Sequence, residues 1–231
     1  MNKELKGSIM LGIAALIWGS SFIVMKSAVD FLTPAVLLSI RFVLASIFLS
    51  ILFFKYIKVF PRDKMKGALI TGGCLFIAYY VQTWGLQYTT PGKNAFLTAI
   101  YCAIVPFLVW LFYKKRPDIY NFIAAFLCVI GIGFVSLNGD LSMNLGDILT
   151  LCGGFLYAIH ILMVQHFSKD LNEGAFTAIQ FVGGAILACI VAIIFEDIQI
   201  ITQIQSSIFF QIFYLAFFAT AMTMVCQTIG Q

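Results

Sequence analysis

Gln82-Thr-Trp-Gly-Leu-Gln-Tyr-Thr-Thr-Pro-Gly-Lys-Asn-Ala-Phe-Leu-Thr-Ala-Ile-Tyr101, with Pro106 just beyond it, decides how this chain folds. The stretch joins two apolar runs, residues 67–87 and 94–113. Each is about 20 residues, enough at a rise of about 1.5 Å per residue to cross the hydrocarbon core of a bilayer. The link Tyr88-Thr89-Thr90-Pro91-Gly92-Lys93 is too short to do anything but fold the second helix back against the first. Gln82, Thr83, Asn94, Thr98 and Tyr101 then sit on the facing ends of the two helices. Polar groups at membrane depth must find partners or water, so they point to a protein interior or a cavity. The hairpin reads as part of a substrate pathway.

The whole chain agrees with that reading. Of its 231 residues 61% are hydrophobic and only 10% charged, with a mean hydropathy of +1.00. A soluble domain of this size could not present so much apolar surface to water. The apolar runs are continuous, whereas a β-barrel would show short alternating segments. The class is therefore an all-α polytopic membrane protein. The first run, from Gly7, is long enough to span and shows no distinct small-residue cleavage pattern, so it reads as a retained anchor. A net charge of +4 says nothing here about nucleic acid, because in such a chain the location of the charges matters. Cys74, Cys102, Cys128, Cys152, Cys189 and Cys226 fall singly inside the runs, with no CxxC pair. Buried cysteine behaves as a small hydrophobe. No disulfide framework, metal site or cofactor is expected.

Eight spans emerge, at about 7–25, 34–54, 67–87, 94–113, 119–137, 146–165, 175–195 and 207–229. Pro34 and Pro117 suit first helical turns, while Pro106 lies inside span four and is expected to kink it. Lys3 and Lys6, the five basic residues from Lys55 to Lys66, Lys114-Lys115-Arg116 and Lys169 all fall on one side if the spans alternate. That is eleven of the fourteen Lys and Arg residues, so this side, with the N-terminus, is expected to be cytoplasmic. Lys26 and Lys93 lie opposite, and Arg41 is left inside a span.

The chain also repeats itself. An offset of 139 residues places Gly7 on Gly146, Trp18 on Tyr157, and Ile40-Arg41-Phe42-Val43 on Ile179-Gln180-Phe181-Val182. Farther on, at an offset of 145, Gln82-Thr83-Trp84-Gly85 meets Gln227-Thr228-Ile229-Gly230. Five spans separate the copies, an odd number, so residues 140–231 form a second repeat inverted against residues 1–139. Inverted repeats around a midplane site mark secondary transporters. Spans four and five have no counterpart after Gln231, and the repeat arithmetic predicts about 50–60 further residues. Ten spans are thus expected for the full protein, eight of them here.

These residues resemble a known family. Ala15-Leu16-Ile17-Trp18-Gly19-Ser20-Ser21-Phe22 looks like the opening helix of the EamA-domain transporters, within the drug/metabolite transporter superfamily. Ile40-Arg41-Phe42 resembles that family's second-helix arginine motif, and Gly85 through Leu97 with Pro106 its third-to-fourth helix junction. Gly146-Asp147-Ile148-Leu149 with Ala158-Ile159-His160 resembles the start of its second half. The resemblance implies two inverted five-helix halves, cytoplasmic termini and a central cavity open alternately to either side. It also implies small metabolites such as amino acids as substrates. Two departures stand out. The last two helices are not in this sequence, and an acidic residue often found near the end of the fourth helix is replaced by Lys114-Lys115-Arg116-Pro117.

Several side chains carry both a functional and a plainer reading. Arg41 is costly at about 10 Å into its span. It either bonds helix-end carbonyls or Asp30, snorkels outward, or gates and contacts substrate. Trp18 and Tyr157, at matching repeat positions, suit the walls of a cavity or ordinary packing. His160 could carry a proton near neutrality or be a hydrogen-bonded interior group. Gln82, Asn94 and Gln227 are neutral donors and acceptors that serve either a substrate or helix-to-helix contact. The ten acidic residues all lie in links or at span ends, which argues against drug–proton antiport through a buried carboxylate.

The expected function is secondary transport, most simply export, of a small neutral or zwitterionic metabolite by rocking of the inverted halves. Trp18, Gln82, Asn94, Tyr101, Tyr157, His160 and Gln227 are the expected cavity lining, with Arg41 and Pro106 as structural or gating elements. The expected partners are that substrate and the bilayer, with self-pairing into a homodimer left open and no nucleic acid. A lipid or lipid-precursor flippase and an inactive shortened chain remain alternatives. A membrane enzyme does not fit, since no Asp, His or Cys cluster stands near an interface.

Overall fold

A computed structural model describes residues 3–136 and 143–230, and all the regular structure among them is helical. In order these are α1 (Lys3–Val29), α2 (Pro34–Leu52), α3 (Phe54–Lys58), α4 (Arg62–Tyr88), α5 (Pro91–Thr98) and α6 (Tyr101–Tyr113). Then follow α7 (Ile119–Ser136), α8 (Leu145–Phe167), α9 (Glu173–Phe195) and a 3-10 segment (Ile198–Gln203). The final helical stretch comprises α10 (Ser206–Ala216), a π segment (Phe217–Met222) and α11 (Thr223–Gly230). Seven stretches are long and apolar enough to cross a membrane, and Ile119–Phe134 is a shorter apolar helix in the place of span five.

The chain divides into two compact units. One comprises residues up to Phe76 and from Phe167 onward, the other Ile77–His166. These units are defined by packing, not by sequence repetition.

In the first unit α2 is the central helix, with Leu37, Leu38, Phe42, Ala45 and Leu49 fully buried. The Phe42 ring meets Phe181 of α9 edge-on at 5.1 Å. The α4 and α9 backbones approach at Gly72, Gly183 and Gly184: a Cβ on Gly72 would strike the Gln180 carbonyl, and one on Gly183 the Leu69 carbonyl. Small residues of this kind let membrane helices touch backbone to backbone. The amino end of α2 lacks a side-chain cap from Thr33. Glu196 supplies it instead, its two carboxylate oxygens accepting from the Ala35 and Val36 N–H groups at 3.1 and 2.9 Å. An anion at a helix N-terminus satisfies orphan donors and complements the macrodipole.

Arg41 is 1% exposed, so it does not snorkel. Its Nε donates to Thr220 Oγ1 at 2.9 Å and Nη1 to Met25 Sδ at 3.4 Å. Asp30, the carboxylate named as its alternative partner, is ion-paired with Lys26 at 3.4 Å. Thr220 stands in the π segment, where its hydroxyl donates to the Leu215 carbonyl five residues back at 2.8 Å. Such a widened turn is common where a side chain inserts into the helical ladder.

Pro106 does not mark the break in span four. It sits within α6, and the interruption lies at Ala99-Ile100, between α5 and α6. The cause is local. Thr98 Oγ1 donates to the Asn94 carbonyl at 2.7 Å, and the Ala99 N–H is shared between Ala95 O and Phe96 O at 3.3 and 3.1 Å. Threonine back-bonding of this kind bends helices.

Candidate polar site in the second unit

The carboxyl half of α4, the broken span α5–α6 and the first half of α8 meet in the second unit through glycine contacts. A Cβ on Gly146 would lie 2.6 Å from Gly85 O, one on Gly153 3.2 Å from Gln82, and one on Gly154 3.0 Å from Thr98 O. With the backbones this close, short polar side chains reach across.

Tyr157 Oη donates to Gln82 Oε1 at 2.9 Å, and Gln82 Nε2 donates to Thr98 Oγ1 at 2.8 Å. Asn94 Nδ2 donates both to the Gln82 carbonyl at 3.1 Å and to Thr150 Oγ1 at 2.7 Å. Thr150 in turn donates to the Gly146 carbonyl at 2.6 Å. Asn94 and Thr150 are fully buried and Gln82 nearly so. The rings of Tyr79 and Tyr101 stand 5.3 and 6.3 Å from that of Tyr157, placing three tyrosines around the end of this chain of bonds. Asn94 Oδ1 and Thr83 Oγ1 are buried with no partner among the described residues.

At the link end of the same unit, the fully buried Asp147 is held by one lysine and by neutral donors. Its Oδ1 accepts from Thr89 Oγ1 at 2.8 Å and its Oδ2 from Lys93 Nζ at 3.1 Å. Asn144 caps α8 by accepting from the Asp147 N–H at 2.8 Å. Sequence reasoning placed Lys93 and Asp147 only as link charges and missed their pairing. The available signal was that both flank links on one side of the membrane.

Of the seven expected lining residues, Gln82, Asn94, Tyr101 and Tyr157 come together. His160 lies half-buried on α8, one turn beyond Tyr157. Trp18 belongs to the first unit, where its Nε1 donates to the Ala219 carbonyl at 3.2 Å. The Gln227 side chain lies outside the described residues. The cluster offers amide and hydroxyl groups and aromatic faces, but no carboxylate at depth. It can hold polar, uncharged or zwitterionic groups by hydrogen bonds. Among the described residues no group of His, Cys, Asp and Glu could hold a metal ion.

The sequence matches the EamA-like transporter family over residues 5–137 and again over 144–231. The chain belongs to the EamA-like transporter family. An "Uncharacterized transporter" of Archaeoglobus fulgidus is 31% identical over 97% of this EamA chain, which spans 69% of that relative. A second relative, "Solute carrier family 35 member F2" of Mus musculus, is 27% identical over 52% of the chain, which spans only 34% of its length. An "Uncharacterized transporter in trpA 3'region" of Buchnera aphidicola is 29% identical over 67% of the chain, which spans half of it. A crystal structure with a TM-score of 0.69 at 12% identity covers 97% of the chain and 78% of its own, so the EamA chain shares its fold.

Proposed function

We propose that the chain carries a small neutral or zwitterionic metabolite, such as an amino acid, across the cytoplasmic membrane as a secondary transporter. The observation that carries this reading is the buried bond chain Tyr157–Gln82–Thr98–Asn94–Thr150, ringed by tyrosines, in a unit made of apolar spans. Polar side chains are expensive at membrane depth and mark substrate paths. Family membership and the solute-carrier name of a relative support the same reading. Gln82, Tyr101, Tyr157 and His160 contact the substrate, Asn94 holds Gln82 in register, and Trp18 and Gln227 serve the matching place in the inverted repeat. Arg41 and Pro106 are structural or gating elements. The two repeats, residues 1–139 and 140–231, alternate access by rocking. Transport runs outward, with the basic links and the N-terminus in the cytoplasm.

Vesicles holding the purified chain and loaded with a panel of labelled amino acids test the proposal. Saturable efflux of at least one, lost in Gln82→Ala, is expected. Efflux equal to that from protein-free vesicles across the panel contradicts it.

A further inference from the structure

Within the first unit, the end of α2 and the π segment with α11 leave a groove of about 360 Å³ between them. Its walls include Phe48, Leu52, Phe217, Ala221, Met222 and Val225, and every lining side chain is apolar. The widened turn from Phe217 to Met222 and the small Ala221 side chain open it. Phe217 meets Phe48 edge-on at 5.0 Å along one wall. From Phe217 to Val225 the groove follows roughly 12 Å of helix. Leu52 at its α2 end is 59% exposed, so the groove faces the surroundings of the unit.

A basic segment begins immediately beyond Leu52. Helix α3 carries Lys55 and Lys58, both exposed, and Lys58 Nζ is held 4.5 Å above the Phe54 ring. Arg62, Lys64 and Lys66 follow on α4, with Asp63 the one acidic residue between Lys55 and Lys66. An excess of basic residues on one side explains orientation. The same lysines, three and six residues past Leu52, lie within reach of a headgroup whose acyl chain enters the apolar slot.

We infer that the groove seats an acyl chain of an anionic phospholipid whose headgroup is bound by Lys55 and Lys58. Hydrocarbon fits the wholly apolar walls, and basic clusters next to membrane-spanning helices attract anionic headgroups. The shape and the charge complement one occupant, a lipid with a negative head. This site is separate from the polar cluster of the second unit and does not depend on what is transported.

Native mass spectrometry of the full chain, extracted from vesicles of equal phosphatidylglycerol and phosphatidylcholine, tests the assignment. The expected result is preferential retention of phosphatidylglycerol. The exposed pair Lys55→Gln/Lys58→Gln should lower that preference by about fivefold or more, and Leu52→Trp, which fills the mouth of the groove, should reduce retention of both lipids. Equal retention by the unaltered chain, or a preference unchanged by the lysine pair, overturns the proposal. Retention unchanged in Leu52→Trp removes the groove as the seat. If the unaltered chain is found to be dimeric and Leu52→Trp keeps its lipid but becomes monomeric, the groove belongs to a second copy instead, which also overturns the proposal.

Discussion

The Tyr157 hydroxyl donates to Gln82 Oε1 across 2.9 Å, joining the middle of α8 to the first residue of the stretch that opens the hairpin. Gln82 passes its own amide hydrogen on to Thr98, whose hydroxyl donates to the Asn94 carbonyl. The direction of donation runs from the tyrosines toward the buried asparagine. The end nearest Tyr79 and Tyr101 is half-buried, and under the proposed function it is the end at which the substrate would compete for these bonds.

Asn94 holds the inner end of that chain. Asn94→Ala removes, in a buried place, the amide that donates to both the Gln82 carbonyl and the Thr150 hydroxyl. The cost should be about 1–3 kcal/mol, read as a lower melting temperature of the detergent-solubilised protein. Thr150→Val removes one of the two bonds and should cost less.

The Lys93–Asp147 pair, with its carboxylate fully buried and its lysine partly so, makes a signed prediction. Lys93→Met strands the fully buried Asp147 carboxylate and should cost about 3 kcal/mol or more. Asp147→Asn in the same chain removes the stranded charge, so the double variant should be more stable than Lys93→Met alone. Melting of the four proteins of this cycle measures it. Equal stability of Lys93→Met and the unaltered chain would show that the pair is not buried as described.

Glycines separate into two groups. Gly85→Ala and Gly146→Ala press a methyl against the other helix's backbone and should each destabilise by at least about 1–3 kcal/mol. Gly12→Ala and Gly19→Ala meet nothing within 4 Å, and by helix propensity should be neutral or stabilising by up to about 1 kcal/mol. A thermal-melt comparison of the four variants checks the difference.

The fold was legible because length and continuous apolarity leave a membrane chain few choices. The span limits read from hydropathy fall within a few residues of most helix ends, although α1 and α4 run farther into polar sequence at Lys3 and Arg62. The contact between Gln82 and Thr98 was legible from the short hairpin. The Asp147–Lys93 pair was not, since a charge at a span end reads as solvated until the glycine crossing of α4 and α8 brings the links together. The break at Ala99-Ile100 was hidden for a related reason. Pro106 is the stronger local signal, while the deciding event is the Thr98 hydroxyl taking a backbone carbonyl. Arg41 reads as an anomaly in sequence because its partners, Thr220 and Met25, are set by packing.

The most direct measurement is efflux from reconstituted vesicles by the unaltered chain, Gln82→Ala and Tyr101→Ala, alongside membrane insertion of each. Gln82→Ala removes a bond chain worth one strong hydrogen bond or more, so transport should fall about tenfold or more. Tyr101→Ala should also alter rate or selectivity, and insertion should be unchanged in both. Transport that proceeds unchanged in both variants would contradict the assignment of this polar cluster as the substrate site.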